Sequence, residues 1–545
     1  MDSSSHDKVH QEHAEQSTLT SDTSYTNGNN NTDEIAMADL PAAIVEKGPQ
    51  LLDTKVPFLT WRSVVMGLFV SMGGFIFGYD TGQISGFLQM EDFLYSFGTW
   101  NGEKYEFSNV RSGLITGLVC TPFPLLNSHF EREKLTVQIS SPHGKWYQVA
   151  VGRLIAGLGV GALSLIVPMY QGESGPRHIR GSLISLYQLF ITLGIFVAYC
   201  IDFGTESMTS SASWRIPMGI TYLWAIILGV GIIFFPESPR YDYRHGKVDR
   251  AVANLAKIYG IPQNHHALAQ EFEEIREKYE EEKSHGEITW WMMLSAPRMK
   301  YRIMVGMLLQ ALQQLTGANY FFYYGTTIFQ GAGISNSFVT QMILGGVNFG
   351  TTFLGLYNIQ HFGRRKSLIA GAIWMFVCFL IFASIGHFSL DRNTPANTPG
   401  AGKAMVCFAC FFILGYASTW APMVWAICAE LYPSEFRARA MALSTASNWL
   451  WNFLLAFFTP FITSAIDFRF GYVFAGCMFA AAFVVYFAVI EGKDRTLEEI
   501  DTMYVRRVKP WESSKYVFPE NEFQPAAGNG SGVNGKDEST QEHIN

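Results

Sequence analysis

The stretch IMVGMLLQALQQLTGANYFFYYGTTIFQ (Ile303–Gln330) carries no charged residue along its whole length. It is longer than the roughly 20 apolar residues that a helix needs to span the hydrocarbon core of a bilayer. It nevertheless contains Gln313, Gln314 and Asn319, spaced to share part of one helix face. Amides are costly in hydrocarbon unless they line a wet cavity or bond to a neighbouring helix. The spacing alone leaves both readings open, a polar ligand site and helix-to-helix pairing.

Comparable charge-poor runs recur at Val64–Tyr79, 147–171, 183–201, 216–235, 338–357, 368–388, 405–429, 440–466 and 470–490. A soluble chain would not repeat that pattern so often, so the expected class is an all-α integral membrane protein. Only 16% of the 545 residues are charged and 48% are hydrophobic, against about a quarter charged in soluble proteins. Mean hydropathy is nonetheless only +0.12, because polar segments before residue 50 and after 502 dilute the apolar spans. The net charge of −7, with no Lys/Arg block, removes the electrostatic basis for nucleic-acid binding. The seven cysteines fall almost wholly in apolar runs and read as packing residues. Cys407 and Cys410 sit one turn apart with no second ligand pair, so packing is favoured there too. There is no phosphate loop, nucleophile elbow or metal-ligand cluster, and neither enzymatic activity nor a cofactor is expected.

Lys and Arg accumulate on the cytoplasmic side of membrane proteins. Arg177 and Arg180, Arg364 to Lys366, and Arg437 with Arg439 flank spans and are expected inside, as is the polar stretch 237–300 with its ten Lys and Arg. Within it, VDRAVANLAKIYG and ALAQEFEEIREKYEEE have helical spacing, with Glu273–Glu277 and Arg276–Glu280 four apart. The expected organisation is a disordered cytoplasmic tail 1–57, a transmembrane half 58–236, a cytoplasmic helical domain 237–300, a second transmembrane half 301–491 and a cytoplasmic tail 492–545. Residues 119–145 do not fit: the apolar part after Ser112 is short, contains Pro122 and Pro124, and runs into the charges Glu131 to Lys134.

Several motifs in order resemble the sugar porters of the major facilitator superfamily, and within them the fungal hexose (monosaccharide) transporters. They are GGFIFGYDTGQISGF (73–87), GRLIAGLGVG (152–161), YQGESGPRHIRG (170–181), PESPR (236–240), QQLTGANYFFYYG (313–325), GRRK (363–366), AELYPSEFRAR (429–439) and EGKDRTLEEID (491–501). The resemblance spans roughly 58–118 and 146–501. It implies twelve helices in two six-helix halves that expose a central sugar site alternately to each side. It assigns sugar contacts to Gln188, Gln313, Gln314, Asn319, Asn348, Trp425 and Asn448, with Tyr323 and Tyr324 closing the outer mouth. Trp449 is a further stacking candidate.

Asp80 and Arg153 are ionisable groups in apolar runs, where opposite charges invite pairing. The resemblance ties the position of Asp80 to proton coupling, and a purely structural Asp80–Arg153 pair is the alternative. Glu173, Arg180, Glu237, Arg240, Arg364, Arg365, Glu430 and Arg437 lie at cytoplasmic helix ends. The resemblance casts them as inner-gate salt bridges between the halves, and positive-inside anchoring is the plain alternative. Two departures weaken that network: Gln360 stands where an acid is usual, and the matching first-half loop is missing from 119–145. A defective gene model and a genuine variant both account for the missing loop. The expected function is transport of a monosaccharide, most readily glucose or another hexose, as a monomer in the plasma membrane with both tails cytoplasmic. Uniport and proton symport both stay open. The alternatives are a glucose sensor of the same fold, disfavoured by the short segment after Asp501, and an inactive mis-spliced product.

Overall fold

A computed structural model describes residues 52, 57, 60–118, 145–176, 179–284, 289–391, 394, 397–433, 435–493, 495 and 497–518. The irregular stretch 119–145 and the N-terminal tail expected from the sequence therefore lie almost wholly outside the described residues, whereas the expected C-terminal tail is described as far as residue 518.

The first half comprises α1 (Trp61–Phe87), the short α2 (Glu91–Phe97), a hairpin of β1 (Thr99–Trp100) and β2 (Tyr105–Glu106), α3 (Asn109–Gly117), α4 (Trp146–Ser174), α5 (Arg180–Thr205) and α6 (Ala212–Ile232). A lid follows, with α7 (Pro239–Arg244), α8 (Val248–Tyr259), α9 (His266–Ser284) and α10 (Trp290–Ser295). The second half comprises α11 (Met299–Gln314), α12 (Ala318–Gly331), α13 (Ser337–His361), α14 (Arg364–Ser384), α15 (Pro399–Gly415), α16 (Ala421–Leu431), α17 (Arg437–Ile466) and α18 (Phe470–Ala488). A last helix, α19 (Leu497–Val505), follows. A π turn, Tyr416–Trp420, joins α15 to α16. Among the described residues seven stretches are long and apolar enough to cross a membrane, and two of them, Pro399–Leu431 and Arg437–Ala488, each contain two of these helices. Leu223, Ile226, Val230, Ile233 and Phe234 are exposed along and just beyond α6, as expected where lipid rather than water is the outer solvent.

Helix α1 packs on α5 along a stripe of glycines four apart. A Cβ on Gly74 would stand 2.7 Å from the Tyr187 carbonyl oxygen, and one on Gly82 3.0 Å from that of Ile195. Gly78 and Gly86 meet Ile191 and Asp202 still more closely, and Gly194 of α5 returns the contact against Phe75. Without a hydrophobic drive between helices in lipid, such close backbone approach is what holds them together. The lid-side start of α1 is capped by Thr60, whose hydroxyl accepts from the Ser63 N–H. Thr60 and Ser63 both donate to the Ile258 carbonyl, at 2.9 and 2.8 Å, which ties α1 to the lid. The lid has its own core of Val252, Leu255, Leu268 and Phe272.

Hydrogen bonds and ring contacts between the halves lie from mid-depth to the end away from the lid. Thr352 donates to Thr192 at 3.3 Å and Phe77 meets Trp449 at 5.5 Å near mid-depth. Further out, Ser85 bonds Thr326, Gln89 donates to Thr327 at 2.9 Å, Tyr199 donates to the Phe322 carbonyl at 3.1 Å, and Asn336 donates to Glu206 at 3.0 Å.

The uninterrupted apolar pattern of 303–330 predicts one continuous helix, and the structure breaks it between Gln314 and Ala318. Gly317 has φ of +88°, and a Cβ there would sit 2.8 Å from both Phe379 and Phe474. Left-handed backbone costs a side-chain-bearing residue about 1–2 kcal/mol before any clash. Gly317→Val is expected to lower the thermal unfolding midpoint of the purified protein by several degrees, read by fluorescence-detected size exclusion after heating; an unchanged midpoint would contradict this account of the break.

Candidate functional site

The break in α11–α12 turns a set of amides toward α17. Gln314 Nε2 donates to Asn448 Oδ1 at 2.9 Å, and Asn448 Nδ2 donates to Gln310 Oε1 at 2.7 Å and Gln313 Oε1 at 2.9 Å. Gln313 Nε2 donates to the carbonyls of Trp420 and Ala421, both at 3.0 Å, where the π turn opens α15–α16. Asn319 Nδ2 donates to Gln314 Oε1 at 2.6 Å and to Asn452 Oδ1 at 3.1 Å. Tyr323 adds its hydroxyl to the same Asn452 oxygen at 3.1 Å. Four residues named from the sequence, Gln313, Gln314, Asn319 and Asn448, thus form one network with Tyr323 at its edge.

Two members were not foreseen. Gln310 lies three residues before Gln313, and Asn452 four after Asn448, so each continues a polar face that the helical repeat makes legible. Asn348 is elsewhere, on α13: it is buried, and its Oδ1 has no partner among the described residues. Gln188 on α5 and Trp425 on α16 are half-buried and stand outside the network. Trp449 is 8% exposed and packs on Phe77. Tyr324 donates to the Ala456 carbonyl at 2.7 Å, tying α12 to α17 above the amides.

Asp80 and Arg153 pair as the sequence suggests. Arg153 Nη1 donates to Asp80 Oδ1 at 3.0 Å and to the Asp80 carbonyl at 3.2 Å, and Nε donates to the Ile115 carbonyl at 3.3 Å. Gln83, one turn on, donates to the same Oδ1 at 2.8 Å. The two charged residues are 5% and 2% exposed, and Asp80 Oδ2 has no partner among the described residues. A second intramembrane acid went unnoticed in the sequence. Asp202 on α5 is buried against Gly86, with neither carboxylate oxygen hydrogen-bonded among the described residues.

Of the lid-side charges named from the sequence, Arg364 and Glu430 form an ion pair within the second half, and Glu173 and Glu237 are hydrogen-bonded to Ser238. Glu173 accepts from Ser238 at 2.6 Å, and the Glu237 carboxylate accepts from the Ser238 N–H at 3.3 Å. Arg240 Nε has no hydrogen-bond partner among the described residues. In the second half Arg364 donates to Glu430 at 2.9 Å. Glu491 accepts from the backbone N–H groups of Arg364 and Arg365 at 2.8 and 3.2 Å, which caps α14 with a carboxylate. Arg365 also donates to the Tyr486 carbonyl at 2.9 Å, and Arg437 donates to that of Tyr432 at 3.3 Å. The side chains of Arg180 and Gln360 are outside the described set.

A cavity of about 1520 Å³ opens at the end away from the lid, above Tyr324. Asp92, Glu206, Tyr320 and Asp467 are among the residues that line it. Burial pushes the Glu206 carboxyl above the usual range, and the hydrogen bond from Asn336 works against that rise.

The profile of the family described as "Sugar (and other) transporter" matches residues 66–121 and 135–504. The low-affinity glucose transporter HXT3 of Saccharomyces cerevisiae is 44% identical over 471 residues, covering 82% of this chain and 83% of its own length. The high-affinity fructose transporter ght6 of Schizosaccharomyces pombe is 41% identical over 478 residues, covering 83% of this chain and 89% of its own. Among solved structures, an inward-open conformation of the xylose transporter XylE from E. coli aligns with a TM-score of 0.64 at 22% identity, covering 81% of this chain and 99% of that one. That likeness carries the major facilitator fold.

Removing one partner of a buried ion pair strands the other, at a cost of about 3–5 kcal/mol, whereas replacing both with apolar residues is often close to neutral. Asp80→Ala is therefore expected to lower the unfolding midpoint sharply, and Asp80→Leu combined with Arg153→Met to recover most of the loss. Additive losses in that thermal series would show that the pair is not coupled.

Proposed function

The chain belongs to the sugar transporter family, and on that premise we propose that it carries a hexose across the plasma membrane by alternating access, with the lid and both tails in the cytoplasm. The observation that carries this reading is the amide network of Gln310, Gln313, Gln314, Asn319, Asn448 and Asn452 beside the α11–α12 break. A sugar offers hydroxyls that both donate and accept, and neutral amides match them without introducing charge. The amides bond one another here, so a sugar exchanges one set of hydrogen bonds for another. Each exchange is worth only about 0.5–1.5 kcal/mol net, which suits a carrier that must release what it binds. The relatives named for glucose and fructose transport support a hexose as substrate.

The contacts between the halves, gathered between mid-depth and the end away from the lid, fit a conformation closed to the outside. In it Arg364–Glu430 and Glu173–Ser238 are satisfied within their own halves. Pairing across the halves belongs to the opposite conformation, and because interfacial pairs are individually weak the two states stay within a few kcal/mol. Gln188, Asn348 and Trp425 complete the sugar site when the halves rock, with Tyr323 and Tyr324 gating its outer side. Proton symport is favoured over uniport by one observation, the buried Asp80–Arg153 pair with a spare carboxylate oxygen. The family profile leaves residues 122–134 unmatched, and sequencing the transcript across 118–146 tests whether that segment is genuine.

Expression in yeast lacking hexose transport is expected to restore growth on glucose and uptake of labelled glucose. Gln314→Ala is expected to reduce kcat/KM roughly tenfold, the equivalent of about 1.4 kcal/mol. Correct surface delivery without uptake would reject the transporter reading. For coupling, collapse of the proton gradient and Asp80→Asn should each abolish accumulation; accumulation indifferent to both would leave uniport.

A further inference from the structure

Asp202 lies inside the apolar span Leu183–Thr205. It is 2% exposed, and neither carboxylate oxygen has a hydrogen-bond partner among the described residues. Gly86 of α1 faces it, and a Cβ there would overlap the carboxylate. Thr205, three residues on, spends its hydroxyl on the carbonyls of Ile201 and Asp202. The hydroxyls of Tyr79 on α1 and Tyr199 on α5 are within electrostatic reach, but they donate to the carbonyls of Pro217 and Phe322, at 2.9 and 3.1 Å. The cations of α4 and α6, which also pack on α5, are engaged elsewhere: Arg153 bonds Asp80, and Arg215 lies over the Trp214 ring. Helix α13 sets Gly345 against Tyr199, and its titratable side chains, Tyr357 and His361, are at the lid end. Asp80 is six residues nearer the lid than Gly86, about 9 Å along α1. An ionised carboxylate with no partner is prohibitively costly away from water, so this one stays neutral by holding a proton.

The position of that carboxyl on α5 connects it to the contact between the halves. Tyr199 stands three residues before it and Glu206 four after, so the two share one face of the helix, roughly 40–60° round from Asp202. Both reach the second half, Tyr199 through the Phe322 carbonyl and Glu206 by accepting from Asn336. Glu206 also lines the cavity away from the lid, one turn beyond Asp202. We propose that Asp202 is a proton-binding site of the outer gate, protonated while the halves are closed at that end and ionised once they part. Parting breaks the Tyr199 and Glu206 bonds and lets cavity water advance one turn down α5 to the carboxylate. Only an O–H bond changes, and the proton passes between the carboxyl and that water. The closed state therefore binds one proton more than the open state, so acid favours closure and alkali favours opening. Where the closed state is protonated and the open one ionised, each pH unit changes the closed-to-open ratio up to roughly tenfold. Asp80 differs, because Arg153 supplies its counter-charge.

This inference deepens the alternating-access reading and rests on it for the opening of the outer end. The full chain, grown with aspartate carrying 13C in its carboxyl group, is reconstituted in lipid nanodiscs. Infrared spectra of the wild type should show an isotope-shifted protonated-carboxyl band at about pH 6, where exposed aspartates are ionised. Hydrogen exchange, corrected for intrinsic rate, should show the outer turns of α5 and the facing turns of α12 losing protection as the pH rises from about 5 to 8. Asp202→Asn, which mimics the neutral carboxyl, should remove the band and hold both segments protected across that range. Asp202→Glu, which keeps a titratable group, should bring the pH response back. A wild type without the band would overturn the proposal whether or not Asp202→Asn folds. A band or a pH response that persists in Asp202→Asn would also overturn it, by assigning the proton to another carboxyl. Glucose uptake in hexose-transport-null yeast by a chain that lacks the band would overturn the proton site alone. A band and pH response that both depend on Asp202, without uptake, would overturn the transport reading and leave the site.

Discussion

Inside hydrocarbon a polar atom has no water to turn to, and each one left unpaired costs several kcal/mol. The rest of this structure follows from that constraint. It makes every span a helix, because a helix satisfies its own backbone, and it drives buried side-chain amides and charges toward partners. Gln313 answers it by reaching two backbone carbonyls opened by the π turn at Tyr416–Trp420. Asn448 answers it by giving its amide to Gln310 and Gln313 while receiving from Gln314. Arg153 answers it with one carboxylate oxygen and two backbone carbonyls drawn from α1 and α3. Among the exceptions in the described residues are Asp80 Oδ2, Asn348 Oδ1 and both carboxylate oxygens of Asp202, and these are therefore informative atoms.

The same solvent removes the usual reason for helices to associate, and the glycine stripe on α1 replaces it. With Gly74, Gly78, Gly82 and Gly86 four apart, α1 lies against the α5 backbone along much of its length. That contact holds Asp80 and Gln83 on α1 close to Arg153 of α4, and carries Ser85 and Gln89 to the α12 residues Thr326 and Thr327. Packing within the first half thus positions the link between the halves.

Much of the site was legible along the chain, for identifiable reasons. Gln313, Gln314 and Asn319 stand out because amides are conspicuous in a charge-free run, and Asp80 and Arg153 stand out in the same way. Gln310 and Asn452 carry the same signal at helical spacing, outside the positions that the family resemblance assigns. The bonds from Gln313 to Trp420 and Ala421 had no such signal, since the acceptors are backbone carbonyls freed only by the local π geometry. Nor did the cavity, whose walls come from residues as distant in the chain as Tyr95, Ser213 and Thr463.

By itself, then, the amino-acid order determined the membrane class and made the amides and charges within apolar runs conspicuous, because hydrophobic length and charge are local properties. Only the tertiary structure decided which amide bonds which. It also placed the break at Gly317 and joined Arg364 to Glu430 within the second half. The physical reason is that hydrogen-bond partners and left-handed backbone depend on which helix faces lie within about 3 Å of one another, and that depends on the packing of all of them together.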